Sequence, residues 1–63
     1  MKANTFDQAV QCYASHMYDN HEIILNEFSY PHREDSIEKK TVWVLKNSWG
    51  TLCAVHKTTG EIL

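Results

Sequence analysis

The residues of this chain best suited to chemistry are two cysteines and two histidines at short spacings. Cys12 and His16 lie four residues apart, and Cys53 and His56 lie three apart. Two thiolates with two imidazoles are a common ligand set for structural zinc, and in a chain of 63 residues the metal could contribute folding energy. A regular strand, however, places Cys53 and His56 on opposite faces. We therefore expect packed thiols and no cofactor, with a zinc-stabilised module as one alternative.

The segment WVLKNSWG, residues 43–50, resembles the sequence around the active-site asparagine of papain-like cysteine proteases. The resemblance implies that Asn47 would orient a catalytic histidine, for which His21 is the candidate, and that Trp49 would shield their hydrogen bond. Cys12 is the cysteine that precedes His21, by nine residues on one predicted helix. Nine helical residues rise about 13 Å, whereas a thiolate–imidazole pair needs hydrogen-bond contact. We interpret NSWG as a turn and expect no enzymatic activity.

His21 and Trp49 each carry a further expectation. A histidine titrates near neutral pH, so protonation of His21 inside an association seam would weaken association; the alternative is a partly exposed histidine at the edge of that seam. Tryptophan is enriched at binding hot spots, and Trp49 lies in a predicted turn. The alternative for Trp49 is packing over the helix end or the linker, with Tyr30 or Pro31.

The apolar spacing predicts one long helix over residues 5–29. Thr5 followed by Gln8 three residues later is typical of a capping box. The apolar positions form one helical stripe: Phe6, Val10, Tyr13, Met17, Ile24 and Phe28. His21 falls on the same stripe. A break at Asp19-Asn20-His21 is the alternative to a continuous helix.

A polar linker and a β-hairpin are predicted after the helix. Pro31 ends the helix, because the residue before a proline avoids the α region. Residues 30–40 form the linker, in which residues 36–39 could add a helical turn. Residues 41–57 are rich in β-branched and aromatic residues and predict the hairpin. Residues 61–63 predict a short third strand at the edge.

The hairpin sequence also predicts its register. Asn47-Ser48-Trp49-Gly50 indicates a type I turn with Gly50 in a left-handed conformation and Asn47 opposite Thr51. The pairs that follow are Leu45 with Cys53, Val44 with Ala54, Trp43 with Val55, and Val42 with His56.

The predicted architecture is α+β in a single domain, residues 1–63, and two mismatches within it predict self-association. A helix of about 25 residues is about 37 Å long, whereas a six-residue strand covers about 20 Å. Both hairpin faces are also apolar, and one helix covers only one face. The alternative is a helix that breaks near Asn20 and folds back. We expect a homodimer, with dimer or partner contacts from these residues: Met17, His21, Ile24, Phe28, Val42, Val44 and Trp49.

The composition excludes several classes of function. Six Lys and Arg residues against eight Asp and Glu residues disfavour nucleic acid as a partner, although a small DNA-associated transcriptional regulator is an alternative. No apolar run is long enough to span a membrane, and residues 2–7 lack the apolar stretch of a secretion signal, so we expect a cytoplasmic location. In its plan of one helix and a hairpin, the chain resembles the small accessory proteins of temperate phages and prophages. That resemblance implies an adaptor or modulator that binds a host protein.

Overall fold

The structure is a computed structural model that describes residues 2–63. Helix α1 (Phe6–His21) is followed by strands β1 (Ile37–Glu38), β2 (Val42–Asn47) and β3 (Gly50–His56). The strands form one antiparallel sheet in the order β1-β2-β3, and Ile62 adds an antiparallel bridge to Val55. The predicted α+β fold, with one helix before a hairpin and a short edge pairing near the C-terminus, is confirmed.

Helix α1 begins where the capping pattern predicts. Thr5 is the N-cap, and its Oγ1 accepts a hydrogen bond of 3.2 Å from the Gln8 N–H. The Gln8 Oε1 in turn accepts from the Asn4 N–H at 2.9 Å, one residue before the position usual in a capping box. Both side chains therefore satisfy backbone donors at the start of the helix.

The prediction that the helix continues to residue 29 is wrong, because α1 ends at His21. Glu22 adopts a left-handed conformation with φ 55°, and its N–H donates to the Tyr18 carbonyl at 2.9 Å. This is the hydrogen bond of an αL C-cap, a position that glycine usually occupies. No second helix follows within the described residues. A 16-residue helix is about 24 Å long, which matches the strands and removes the predicted length mismatch.

Residues 22–36, here called the return segment, lead from α1 back to the sheet. Leu25 packs against the core, and Pro31 is fully buried. The His32 N–H donates to the Lys46 carbonyl at 2.8 Å, and the Ser36 Oγ accepts from the Lys46 N–H at 3.1 Å. A short strand, β1, then forms where the sequence predicted a linker with a helical turn; Ile37 pairs with Val44 instead of continuing a helix.

The hairpin register is confirmed for four pairs and wrong at the turn. Val42, Trp43, Val44 and Leu45 lie opposite His56, Val55, Ala54 and Cys53 as predicted. The register then shifts, so that Asn47 lies opposite Gly50 rather than Thr51. The Asn47 Oδ1 accepts the Trp49 N–H at 2.9 Å, which closes the loop one residue earlier. Gly50 has the expected positive φ, at 134°.

The core lies between α1 and one face of the sheet, with Leu45 and Val55 fully buried at its centre. The accessible surface of 4201 Å² is close to the roughly 4,200 Å² expected for a folded monomer of this mass. The amount of exposed surface is therefore ordinary. The opposite sheet face, here called the open face, is not covered by α1 and carries half-buried Val42, Val44 and Ala54 beside exposed Ile37.

Candidate protein-binding site

The four candidate zinc ligands are distributed over different parts of the fold. Cys12 and Cys53 are free thiols on the core side, whereas His56 pairs with Val42 on the open face, where its Nδ1 accepts the Thr58 N–H at 3.2 Å. The Nδ1 of His16 lies 3.1 Å from the Nδ2 of Asn20. These four residues do not form a cluster of ligand atoms within residues 2–63.

Within residues 2–63, the one set of three potential ligands that does converge lies in the return segment. Its members are His32, Glu34 and Asp35, whose ligand atoms lie within 4.8 Å of one another. The His32 Nδ1 is 3.3 Å from the Asp35 Oδ2, and Glu34 is exposed. Exposed acidic turns of this kind are common without a bound ion.

Cys53 is a packed thiol in a protein environment that opposes its ionisation. Burial raises its pKa to about 12. Burial also raises the pKa of Tyr13, with the negative charge of the Cys53 thiolate as a second cause, because like charges repel. Cys53 therefore remains a neutral thiol near neutral pH and has little thiolate for nucleophilic or metal chemistry.

Asn47, the residue that the protease resemblance singles out, is buried and bonds backbone groups. Its Nδ2 donates to the carbonyls of Phe28 and Tyr30, at 2.8 and 3.2 Å, while its Oδ1 accepts from Trp49. His21 is exposed at the end of α1, where its ring packs edge-on against His16 with centroids 5.9 Å apart. The Asn47 amide thus fastens the return segment to the hairpin tip.

A second asparagine folds the return segment on itself. The Asn26 Oδ1 accepts from the N–H groups of Phe28 and Ser29, at 2.9 and 3.1 Å, and the Ser29 Oγ accepts from the Asn26 N–H at 2.9 Å. The Tyr30 N–H also donates to the Asn26 carbonyl at 2.9 Å. Such side-chain bonds define a turn without using apolar burial. The apolar side chains of this turn are consequently free to face solvent.

Most of the exposed large apolar side chains of the described chain lie at this end of the molecule. They are Tyr18, Ile23, Ile24, Phe28, Tyr30 and Trp49. An apolar groove of about 350 Å³ lies among them, lined by Ala14, Tyr18, Ile23, Ile24, Leu25 and Tyr30. Phe28 and Trp49 form an aromatic pair, with ring centroids 4.8 Å apart and planes at 64°. Ile24 is 79% exposed, so this surface is accessible to another molecule.

The structure divides the predicted interface residues between two surfaces. Ile24 lines the groove, and Phe28 contacts Trp49 in the aromatic pair. Val42 and Val44 lie on the open face instead. The remaining two candidates are on α1: Met17 packs against the core, and His21 is exposed.

Of the six residues that line the groove, the sequence predicted only Ile24 as an interface residue; the other five were missed, namely Ala14, Tyr18, Ile23, Leu25 and Tyr30. In a helix that continues to residue 29, Tyr18 and Ile23 lie off the apolar stripe, so the pattern does not predict them as interface residues. The spacing of Asn26 and Ser29, which is typical of a side-chain-bonded turn, was the signal that could have placed them at a chain reversal.

The other end of β2 has a different character. The Arg33 guanidinium lies 5.3 Å from the Trp43 ring centroid and 5.8 Å from that of Phe6, and the Lys57 Nζ lies 5.7 Å from Trp43. Lys57 also bonds the Glu38 carboxylate at 2.7 Å. Cations therefore cover the aromatic rings here, whereas the rings of the aromatic pair are open.

The single helix within residues 2–63 is too short and too polar to cross a membrane. Comparisons with protein-family models, with curated proteins and with solved structures find no match for this chain. The functional assignment of its surfaces therefore depends on the residues and their geometry.

Proposed function

We propose that this chain is a small non-enzymatic adaptor or modulator that binds another protein through the apolar groove and the aromatic pair. The observation that carries the proposal is a group of six large exposed apolar side chains, four of which line the groove while the other two form the aromatic pair. Single exposed apolar residues are ordinary on a protein surface, whereas a contiguous group of them usually marks an interface. The proposed setting is the cytoplasm, with a host protein as the partner, as for accessory proteins of temperate phages.

Rigidity of this surface supports the proposal. The return segment is held by the buried Asn47 amide and by the bonds between Asn26 and Ser29, so its apolar side chains are displayed from a fixed backbone. A surface that is ordered before binding loses less conformational entropy when a partner docks. Trp49 and Tyr30 add two of the residue types that most often dominate binding energy.

The homodimer belongs to the same proposal, with the open face as the contact between copies. Ile37, Val44 and Ala54 lie in a row across three strands, and the Leu63 N–H donates to the Ala54 carbonyl beside them. An antiparallel sheet with one solvated face normally has polar residues on that face, and this row is apolar. Two such faces packed against each other would leave the groove and the aromatic pair of both copies free for partners.

Capture of a partner tests the adaptor role. Wild-type protein, Trp49→Ala and Ile37→Ala are immobilised and exposed to host lysate. We expect a partner that the wild type and Ile37→Ala retain and that Trp49→Ala loses, because Trp49 belongs to the proposed surface and Ile37 does not. A partner retained equally by Trp49→Ala would contradict the assignment of the surface.

Molecular mass in solution tests the dimer. Light scattering at high micromolar concentration is expected to give twice the 7.3 kDa of one chain. Val44→Lys places a charge at the centre of the open face and is expected to reduce that mass to one chain. A wild type that remains at 7.3 kDa would exclude the dimer and leave the adaptor role to the capture experiment.

A further inference from the structure

We infer that the apolar groove takes a basic amphipathic helix of a partner protein, with apolar side chains in the groove and Lys or Arg at its rim. This inference rests on the proposed function and adds the chemistry of the ligand. Three observations carry it: the charge of the chain around the groove, the end of α1 at the groove, and the charge of the chain's own helix.

The chain segment that lines the groove, residues 14–30, carries only negative formal charge. Between Lys2 and Arg33 the sequence has no Lys or Arg, and it has four carboxylates, Asp7, Asp19, Glu22 and Glu27. Glu22 directly precedes Ile23 of the groove, and Glu27 directly precedes Phe28 of the aromatic pair; both carboxylates are exposed. A partner segment with positive flanks would meet complementary charge there.

The C-terminal end of α1 lies at the same place. Tyr18, in the last turn, lines the groove, and Ile23, just past the cap, lines it as well. The peptide dipoles of a helix sum to a partial negative charge at its C-terminus, which favours a cation near that point. The basic residue in the last turn of α1 is His21, and the turn contains no Lys or Arg. A Lys or Arg side chain from a partner would supply the permanent cation that this turn lacks.

A second copy of this chain does not supply the required segment. Its single helix within the described residues, α1, has no Lys or Arg and carries Asp7 and Asp19, so it would meet the groove with like charge. An apolar groove with a polar rim is the usual receptor for an amphipathic helix, which inserts side chains spaced three and four residues apart. We therefore assign the groove to a different protein with a basic helix.

The test measures binding of two labelled peptides by fluorescence anisotropy at about 50 mM salt. The first probe is an amphipathic helix of about 18 residues made of Leu and Lys, and the second replaces every Lys with Glu. We expect the Leu/Lys peptide to bind at least about tenfold more tightly than the Leu/Glu peptide, because only its flanks complement the rim.

Matched variants locate the binding. Ile24→Ser is expected to weaken binding of the Leu/Lys peptide about tenfold or more, the loss expected for one apolar side chain at an interface. The double variant Glu22→Gln, Glu27→Gln is expected to weaken it about threefold at low salt and less at high salt. Ile37→Ser, an exposed position on the open face, is expected to leave it unchanged. Circular dichroism checks that each variant is folded.

Each other outcome overturns the inference. Leu/Lys binding that is insensitive to Ile24→Ser, or equally sensitive to Ile37→Ser, would show general attraction between opposite charges. Equal, Ile24-dependent binding of both peptides would remove the charge preference and leave an apolar adaptor groove. Self-association lost in Ile24→Ser would assign the groove to a second copy. Failure of both peptides to bind overturns the basic-helix assignment, whereas the adaptor role is decided by Trp49-dependent capture.

Discussion

Strand β2 and the return segment, residues 22–36, contact each other along their hydrogen-bonded ends but are held in place by different interactions. Along β2, buried Trp43 and Leu45 alternate with half-buried Val42 and Val44, so apolar burial on one face defines its position. The return segment is held by hydrogen bonds from the side chains of a few polar residues, Asn26, Ser29, Ser36 and Asn47. This small chain thus divides its apolar residues between a core and a surface.

The core-facing apolar side chains of the hairpin form the core, whereas most of the large apolar side chains of the return segment face solvent and are available for binding. Burial of Leu45 and Val55 under α1 fixes the sheet. In the return segment Pro31 is fully buried and half-buried Leu25 packs against the core, while backbone groups bonded to Asn26 and Asn47 define the rest. Ile24 and Phe28 therefore face solvent without loss of local structure.

The largest expected effect comes from the core beneath the hairpin. Leu45→Ala removes a fully buried side chain and should cost about 2–5 kcal/mol of the free energy of unfolding. A small domain has only about 5–15 kcal/mol in total, so much of that stability would be lost. Urea denaturation followed by circular dichroism measures the change, with Gln11→Ala at an exposed position of α1 as the control. A wild-type midpoint for Leu45→Ala would place the core elsewhere.

Asn47→Ala should lower the free energy of unfolding less than Leu45→Ala does and should act mainly on the return segment. The Phe28 and Tyr30 carbonyls lose their side-chain donor, and the expected loss is about 2–3 kcal/mol. Hydrogen exchange is the sharper measurement: amides of residues 23–30 should exchange faster, while those of β2 and β3 away from the turn stay protected. Asn47→Asp keeps the acceptor for Trp49 and removes the donors, so it should free the return segment as well. Uniform loss of protection along the whole chain would contradict the separation of the two regions.

These two regions also differ in how far the sequence predicts them. The four hairpin pairs were predicted by counting back from the turn, and they are correct although the turn is not, because the irregularity between Leu45 and Lys46 absorbs the shift of one residue. Without it, a slip of one residue would turn every side chain to the other face. The predicted turn is wrong by one residue because the Asn47 side chain accepts the Trp49 N–H. Strand β1 has two residues, too few for any pattern to indicate it.

The end of α1 was missed for a related reason. Ile24 and Phe28 continue the helical spacing by position alone, although the backbone has already reversed after His21. Glu22 is not a residue that typically takes the left-handed cap, so nothing at the cap itself indicated the end. The candidate groove depends on this reversal of the backbone, so the groove could not be predicted while the reversal was missed. The predicted core residues Val10 and Tyr13, which precede the reversal, are buried as expected.

Alkaline pH should lower the free energy of unfolding through Cys53, which packs against the core. Cys53 has a folded-state pKa of about 12, raised by burial from an ordinary value of 9.0, so the folded state keeps a proton that the unfolded chain releases. The contribution of the neutral Cys53 thiol to the free energy of unfolding is complete below pH 9 and is lost as the pH rises toward 12. The pKa of Tyr13 is raised as well, so its ionisation acts in the same direction. Urea midpoints between pH 8 and pH 11 should therefore fall more steeply for the wild type than for Cys53→Ala. Parallel slopes would show that Cys53 ionises as freely in the folded protein as in the unfolded chain.

The smallest expected effect concerns the cap that separates α1 from the return segment. Glu22 has a positive φ of 55°, which is costly for a residue with a side chain, so Glu22→Gly should stabilise the protein by about 1 kcal/mol. Glycine also increases the entropy of the unfolded chain, which keeps the gain small. Thermal denaturation should show a midpoint higher by about 4 °C. Glu22→Ala is the control, because it removes the carboxylate but keeps the left-handed strain and should give no such gain. A gain in Glu22→Ala as large as in Glu22→Gly would assign the effect to charge rather than to backbone conformation.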